Sequence, residues 1–264
     1  MFWGSGVLKD TITISAVGWF TYSFYRFFIN KRRSLKYLLA LLVNSLLIIK
    51  IKPYIYFALL PGSVVWLATN VTTKVKSKIV KNFITPFIII LGAILGYLAL
   101  SQMDNYMGKY KMDKVFAQAA RTQADQKAEY YGGNSFDIGE FDGTFSGAIG
   151  KTHLAIAATF FRPYLWDVKN VVMFISALEN TYILLLTIFL FIKLKLSFLS
   201  LLFKNPMLTF SILFALFFGF SVGLATSNFG SLVRLKIPCI PFYVASLFIL
   251  RHFYELKHKK KLGL

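Results

Sequence analysis

Between Met207 and Thr226 the chain carries no charge, and between Val171 and Ile192 it carries one, Glu179. Runs of that length match the ~20 apolar residues that cross a hydrocarbon core, and a soluble domain has no way to bury several of them. Further apolar runs occupy residues 11–29, 35–49, 53–69, 83–101 and 235–250. The predicted fold class is therefore all-α, a polytopic transmembrane helix bundle of about six to seven spans. The runs at 35–49 and 53–69 are short, and Pro61-Gly62 interrupts the latter, so they read as a tilted or re-entrant pair. Composition agrees: 56% of the 264 residues are hydrophobic, mean hydropathy is +0.60 and Phe occurs 28 times, well above the roughly 45–50% apolar content of soluble domains.

The net charge of +19 raises nucleic acid as a partner, but Lys and Arg fall in short clusters between the apolar runs rather than on one face of a soluble domain, which excludes that class. Counted over alternate connections, sixteen basic residues lie on one side, in 31–36, 74–81, 193–204 and 251–261, and five on the other: Lys9, Lys50, Lys52, Arg234 and Lys236. That asymmetry predicts a cytoplasmic C-terminus and an N-terminus outside. The lone Cys239 has no intrachain disulfide partner. The first apolar run lacks a basic leader and a small-residue cleavage site, and is expected to remain as an anchor.

Three regions follow: N-terminal transmembrane helices over 1–101, an external loop with amphipathic helices over 102–170, and C-terminal transmembrane helices with a basic cytoplasmic tail over 171–264. In the loop, eight basic and eight acidic residues cancel. Residues 113–130 read as a charged helix, 132–147 as a Gly-rich turn region, and 148–161 as an apolar interfacial helix. Gly92 with Gly96, and Gly219 with Gly223, have the four-residue spacing that lets helix backbones approach closely.

Polar groups at the outer ends of spans carry the functional information, because ionisable residues near hydrocarbon need a reason to be there. Lys9 and Asp10 open the first span, Lys50, Lys52 and Tyr54 join the second to the third, Arg162 and Asp167 open the fifth, and Asn228 and Arg234 open the seventh. Such a ring of cations suits a phosphate-bearing ligand, since Arg offers a rigid fork and Lys a mobile point charge. Each is also explicable as a snorkelling anchor, and Asp167 as a helix cap. Glu179 falls about twelve residues beyond Asp167, ~18 Å along a helix, a depth at which a carboxylate needs a partner or a wet cavity. His153 has no companion ligand, and the acids of 137–142 lack the spacing of a calcium loop. No metal and no cofactor is expected.

The segments 2–10, 52–54, 161–167 and 228–234 resemble the C-terminal portion of bacterial O-antigen polymerases and related lipid-linked-sugar transferases. The resemblance implies sugar transfer or polymerisation from a polyprenyl-diphosphate carrier at the outer face of the bacterial inner membrane, without nucleotide sugar or metal. Its partners would be membrane lipid and a polyprenyl-diphosphate-linked oligosaccharide. Arg162, Arg234, Lys9 and Lys52 would hold the diphosphate, and Glu179, Asp167 or Asp10 would activate the acceptor hydroxyl. Members of such families have further helices upstream, so a preceding segment or a partner chain is expected. A transporter or flippase of lipid-linked anions and a non-enzymatic assembly protein are the alternatives.

Overall fold

The computed structural model describes residues 9–72, 114–128, 134–195 and 197–262. These residues are mostly helical, with no strand among them. The run at 83–101, the Gly92/Gly96 pair and the basic cluster at 74–81 lie outside the described residues. Three described helices are long and apolar enough to cross a membrane, Pro53–Val71, Val171–Leu194 and Pro206–Ala225. The bent pair Phe229–Leu235 and Ile240–Leu256 makes a fourth if it is one span. The chain divides into two compact units, Met1–Met112 and Asp113–Leu264.

In the first unit α1 (Lys9–Phe24) runs on into a π-helical turn, Tyr25–Ile29, and α2 (Leu35–Ile51) returns alongside it. Only Lys52 separates α2 from α3 (Pro53–Thr72), which starts on proline, where the missing N–H is no loss. Asp10 pairs with Lys52 at one end of α1, and Phe24 meets Trp66 near the other with ring centroids 5.6 Å apart. α1 and α3 are therefore parallel and α2 antiparallel to both. Trp66 is buried against Phe24, 2% exposed.

The second unit contains α4 (Val115–Asp125), α5 (Phe145–Gly150), α6 (Thr152–Phe161), α7 (Val171–Leu194), α8 (Ser197–Lys204), α9 (Pro206–Ala225), α10 (Phe229–Leu235) and α11 (Ile240–Leu262). Asparagines start three of them. Asn170 accepts from the amide of Met173, Asn205 from those of Met207 and Leu208, and Asn228 from that of Ser231, each satisfying amides that a helix start leaves open. α9 is the most enclosed helix and packs on α6 and α11. Its glycines set that packing: a Cβ on Gly219 would lie 2.8 Å from the Phe160 ring, and one on Gly223 would lie 2.0 Å from the carbonyl oxygen of Ala155. The approach is fastened by Thr159 Oγ1, which donates to the Gly219 carbonyl at 2.6 Å. The close-packing role expected for this pair is what the helices show.

α6 is thus docked along α9, with Ala155, Ala158, Thr159 and Phe160 buried. The seventh run, expected as one continuous helix over 235–250, is instead broken at Lys236–Cys239 and bent by 66°. α7 shows the opposite of enclosure, with Val171, Ile175, Leu185 and Ile192 each more than 60% exposed. So wide an apolar face suits lipid rather than water.

Candidate anion site at the Arg162 turn

α6 ends where it does because Pro163 follows. The residue before proline is pushed out of the helical region, and Arg162 takes φ −93°, ψ 150° while its amide still bonds to the Ala158 carbonyl at 3.0 Å. The chain then closes a 3-10 turn, Leu165–Asp167, in which Asp167 Oδ2 accepts from the amide of Tyr164 at 2.9 Å. The cap of α7 is Asn170, so the capping role expected of Asp167 operates one turn earlier and closes the loop behind Arg162.

The guanidinium of Arg162 lies 5.3 Å from the centroid of Phe136 and 5.5 Å from that of Tyr164. Each aromatic face attracts the cation by about 0.5–2 kcal/mol, more as water is excluded. Both rings are themselves held. Tyr164 stacks on Trp166 at 4.7 Å. Phe136 packs on Phe229 at 5.1 Å and sits beside an isolated antiparallel bridge, Ser135 with Asn228, where Phe136 N donates to the Ser227 carbonyl at 2.7 Å and Phe229 N to that of Asn134 at 2.9 Å. Gln126 Oε1 accepts from the amides of Ser227 and Asn228 at 2.9 and 3.3 Å. Four stretches of chain therefore converge to position one guanidinium, and among the described residues no hydrogen-bond acceptor or carboxylate meets it.

Behind Arg162 lies a second cation. Lys236 is 5% exposed, and its ammonium donates to Asn180 Oδ1 at 2.7 Å and to the carbonyl of Arg162 at 3.1 Å. Asn180 Nδ2 in turn donates to the carbonyl of Pro163 at 3.3 Å, and Cys239 Sγ to that of Lys236 at 3.1 Å. Among the described residues the ammonium is thus matched only by neutral oxygens within hydrogen-bond reach. A buried charge held this way is destabilising unless every proton finds an acceptor. The consequence is a positive potential beneath the Arg162 turn that an anion would relieve.

The other residues singled out in the sequence divide. Arg234 is exposed on α10, two residues before Lys236. Asn228 caps α10 with its side chain. Glu179 lies eight residues into α7, ~12 Å from its start, on the exposed face, whereas its neighbour Asn180 points inward. The field of Glu179 reaches Lys236 without a hydrogen bond between them. In the first unit Asp10 and Lys52 form an ion pair, with the Asp10 carboxylate fully buried. Lys9 and Lys50 are exposed there, and Tyr54 is half-buried.

Lys236 and Asn180 escaped the sequence reading as site residues. Lys236 counted there only as a charge in a connection between spans. The available signal was that Lys236 is a charge flanked by apolar residues and that Asn180 is a polar residue within another apolar run, and such residues must find one another.

The loop acids have local work. Asp137 accepts from the Gly139 amide at 2.7 Å and pairs with Lys127 at 2.8 Å, and Asp142 accepts from Thr144 Oγ1 at 2.7 Å. The Lys127 hydrogen bond, the turn amide and the nearby Lys151 charge hold Asp137 below the usual carboxylate range. Thr144 does the same for Asp142.

Comparison of the chain with protein-family models, with curated proteins and with solved structures finds no match.

Proposed function

We propose that this chain is a bacterial inner-membrane protein that binds a polyprenyl-diphosphate-linked oligosaccharide and transfers or polymerises its sugar units in surface-polysaccharide biosynthesis. The reading takes six to seven spans, the N-terminus and the loop at 102–170 outside, and the C-terminus in the cytoplasm. The observation that carries it is the Arg162 guanidinium, gripped by two rings and offered no acceptor among the described residues. Its planar fork matches two phosphate oxygens. Lys236 raises the potential beneath it, and Arg234, two residues before Lys236 and exposed, adds a further positive charge. As a glycosidic bond to the carrier breaks, negative charge grows on the diphosphate, and donors fixed in advance stabilise it.

Asp167 and Asp10 are both engaged locally, one in its turn and one with Lys52. That favours, as a second reading, a protein that binds the lipid-linked anion without reacting with it, as a flippase or an assembly factor would. Sugar transfer by the purified chain in proteoliposomes, from a polyprenyl-diphosphate donor and in excess chelator, separates the two. Chain growth on the acceptor supports the transferase. Binding without product leaves the carrier reading.

A further inference from the structure

At the end of α1 opposite Asp10 and Lys52, the first unit carries a group of cations of its own. The chain leaves the π-helical turn and reverses through residues 30–34, with Arg32 N bonded to the Arg26 carbonyl at 2.9 Å and Ser34 N to that of Arg32 at 2.8 Å. Lys31 adopts φ +54° there, a left-handed conformation that costs a non-glycine residue about 1 kcal/mol or more. The turn presents Lys31, Arg32, Arg33 and Lys36 together, all exposed. Behind them Arg26 Nη2 donates to the Tyr37 hydroxyl at 3.0 Å, and its guanidinium lies 5.3 Å from the Tyr37 ring and 5.8 Å from that of Tyr22. Its Nε, shut off from solvent, has no acceptor among the described residues.

Among the described residues of the first unit no acid but Asp10 is present to balance these five charges. The sequence contains no Asp or Glu between Asp10 and Asp104, and Asp10 pairs with Lys52 at the far end of α1. What adjoins the cations is apolar. Tyr37 meets Tyr22 at 6.1 Å and Tyr22 meets Trp19 at 5.9 Å, edge to face in both pairs. This ladder leads down into an open cleft of about 460 Å³ lined, among the described residues, by Ser15, Gly18, Trp19 and Tyr22. Gly18 forms its notch, because a Cβ added there would meet nothing within 4 Å. Cations above an aromatic-lined apolar slot call for a ligand with an anionic head and a hydrocarbon tail.

We propose that this corner binds an anionic phospholipid, its phosphate on Arg26, Arg32, Arg33 and Lys36 and one acyl chain in the cleft beside Gly18. Basic residues at a membrane surface attract anionic headgroups by ~1 kcal/mol each, and a ligand that binds only the folded protein raises its melting temperature. The test is thermal unfolding of the purified full chain in detergent, titrated with phosphatidylglycerol, phosphatidylcholine of the same acyl chains, or inorganic phosphate.

Phosphatidylglycerol should raise Tm by on the order of 5 °C, phosphatidylcholine by less than half as much, and inorganic phosphate not at all. Removing the exposed cations (R32A/R33A/K36A) should abolish the difference between the two lipids, whereas K193A/K195A, which removes two cations elsewhere, should keep it. Filling the notch with Gly18→Leu should cut the response to phosphatidylglycerol at least by half. Equal shifts with both lipids, an equal shift with inorganic phosphate, an unchanged difference in the triple variant, loss of the difference in K193A/K195A, or an unchanged response in Gly18→Leu would each overturn the proposal.

Discussion

The ammonium of Lys236 donates to Asn180 Oδ1 across 2.7 Å and 56 residues of sequence, and Asn180 passes the link on to the Pro163 carbonyl. One buried cation therefore fixes α7, the break before α11 and the turn that carries Arg162. Asn180→Leu strips the ammonium of its best acceptor and should lower stability by about 3 kcal/mol, because an uncompensated buried charge is left behind. Lys236→Met should be milder, and Asn180→Leu combined with Lys236→Met should be more stable than Asn180→Leu alone. Thermal unfolding in detergent reads all three. A double variant that merely adds the two losses would mean the pair is not coupled.

The close approach of α6 and α9 rests on Gly223, where a Cβ would lie 2.0 Å from the Ala155 carbonyl oxygen. Gly223→Ala should lower stability by about 3 kcal/mol, at the upper end of overpacking effects, since backbone must move. Gly18→Ala, with open space around it, should be neutral or stabilising by up to about 1 kcal/mol through helix propensity. The same unfolding measurement compares them, and equal losses would deny the packing role.

The loop that carries Asp137 should loosen in acid. Asp137 is held below the usual carboxylate range, chiefly by Lys127, so its pKa is lower folded than unfolded. Its stabilising effect is present above the unfolded carboxylate value of ~4 and is lost as pH falls through the folded value. Limited proteolysis of the loop should accelerate below pH 4, and Asp137→Asn should cleave at a rate nearer the acid value already at pH 7. A cleavage rate independent of pH in both forms would remove the link between Lys127 and the loop.

The sixteen-to-five division of basic residues predicts the orientation. An alkaline-phosphatase fusion near Gly133 should be active and one after Lys261 inactive. The reverse pattern would put the Arg162 turn on the cytoplasmic side and sink the outer-face reaction.

Helicity and apolar runs were legible in the sequence because lipid imposes them residue by residue, without reference to a partner. Gly219 and Gly223 were legible for a related reason: their spacing places two absent side chains on one stripe of α9. Of the ring of cations, Arg162 lies beside the buried Lys236, whose ammonium meets its carbonyl, and Arg234 precedes Lys236 by two residues. Two things did not follow from local pattern. Lys236 and Arg234 are two residues apart in one basic stretch, and only tertiary packing turns one inward and leaves the other exposed. Glu179 and Asn180 are neighbours that a helix separates by about 100°, so which of them faces the bundle depends on the angular position of α7. The break at 236–239 was signalled by Pro238 and Pro241 and was read as continuous span.

The binding of polyprenyl diphosphate to the purified protein, compared between wild type, Arg162→Ala and Arg162→Lys, tests the central claim most directly. The side-chain substitutions spare the carbonyl that Lys236 uses, so the fold of the turn should persist and the change should report the guanidinium alone. Loss of its charge-assisted bonds, about 1.5–3 kcal/mol, predicts a Kd raised roughly 10- to 150-fold in Arg162→Ala. Arg162→Lys should recover little, because a point charge does not replace the fork. A wild-type Kd in Arg162→Ala, or full recovery by Arg162→Lys, would reduce Arg162 to an interfacial anchor and contradict the account.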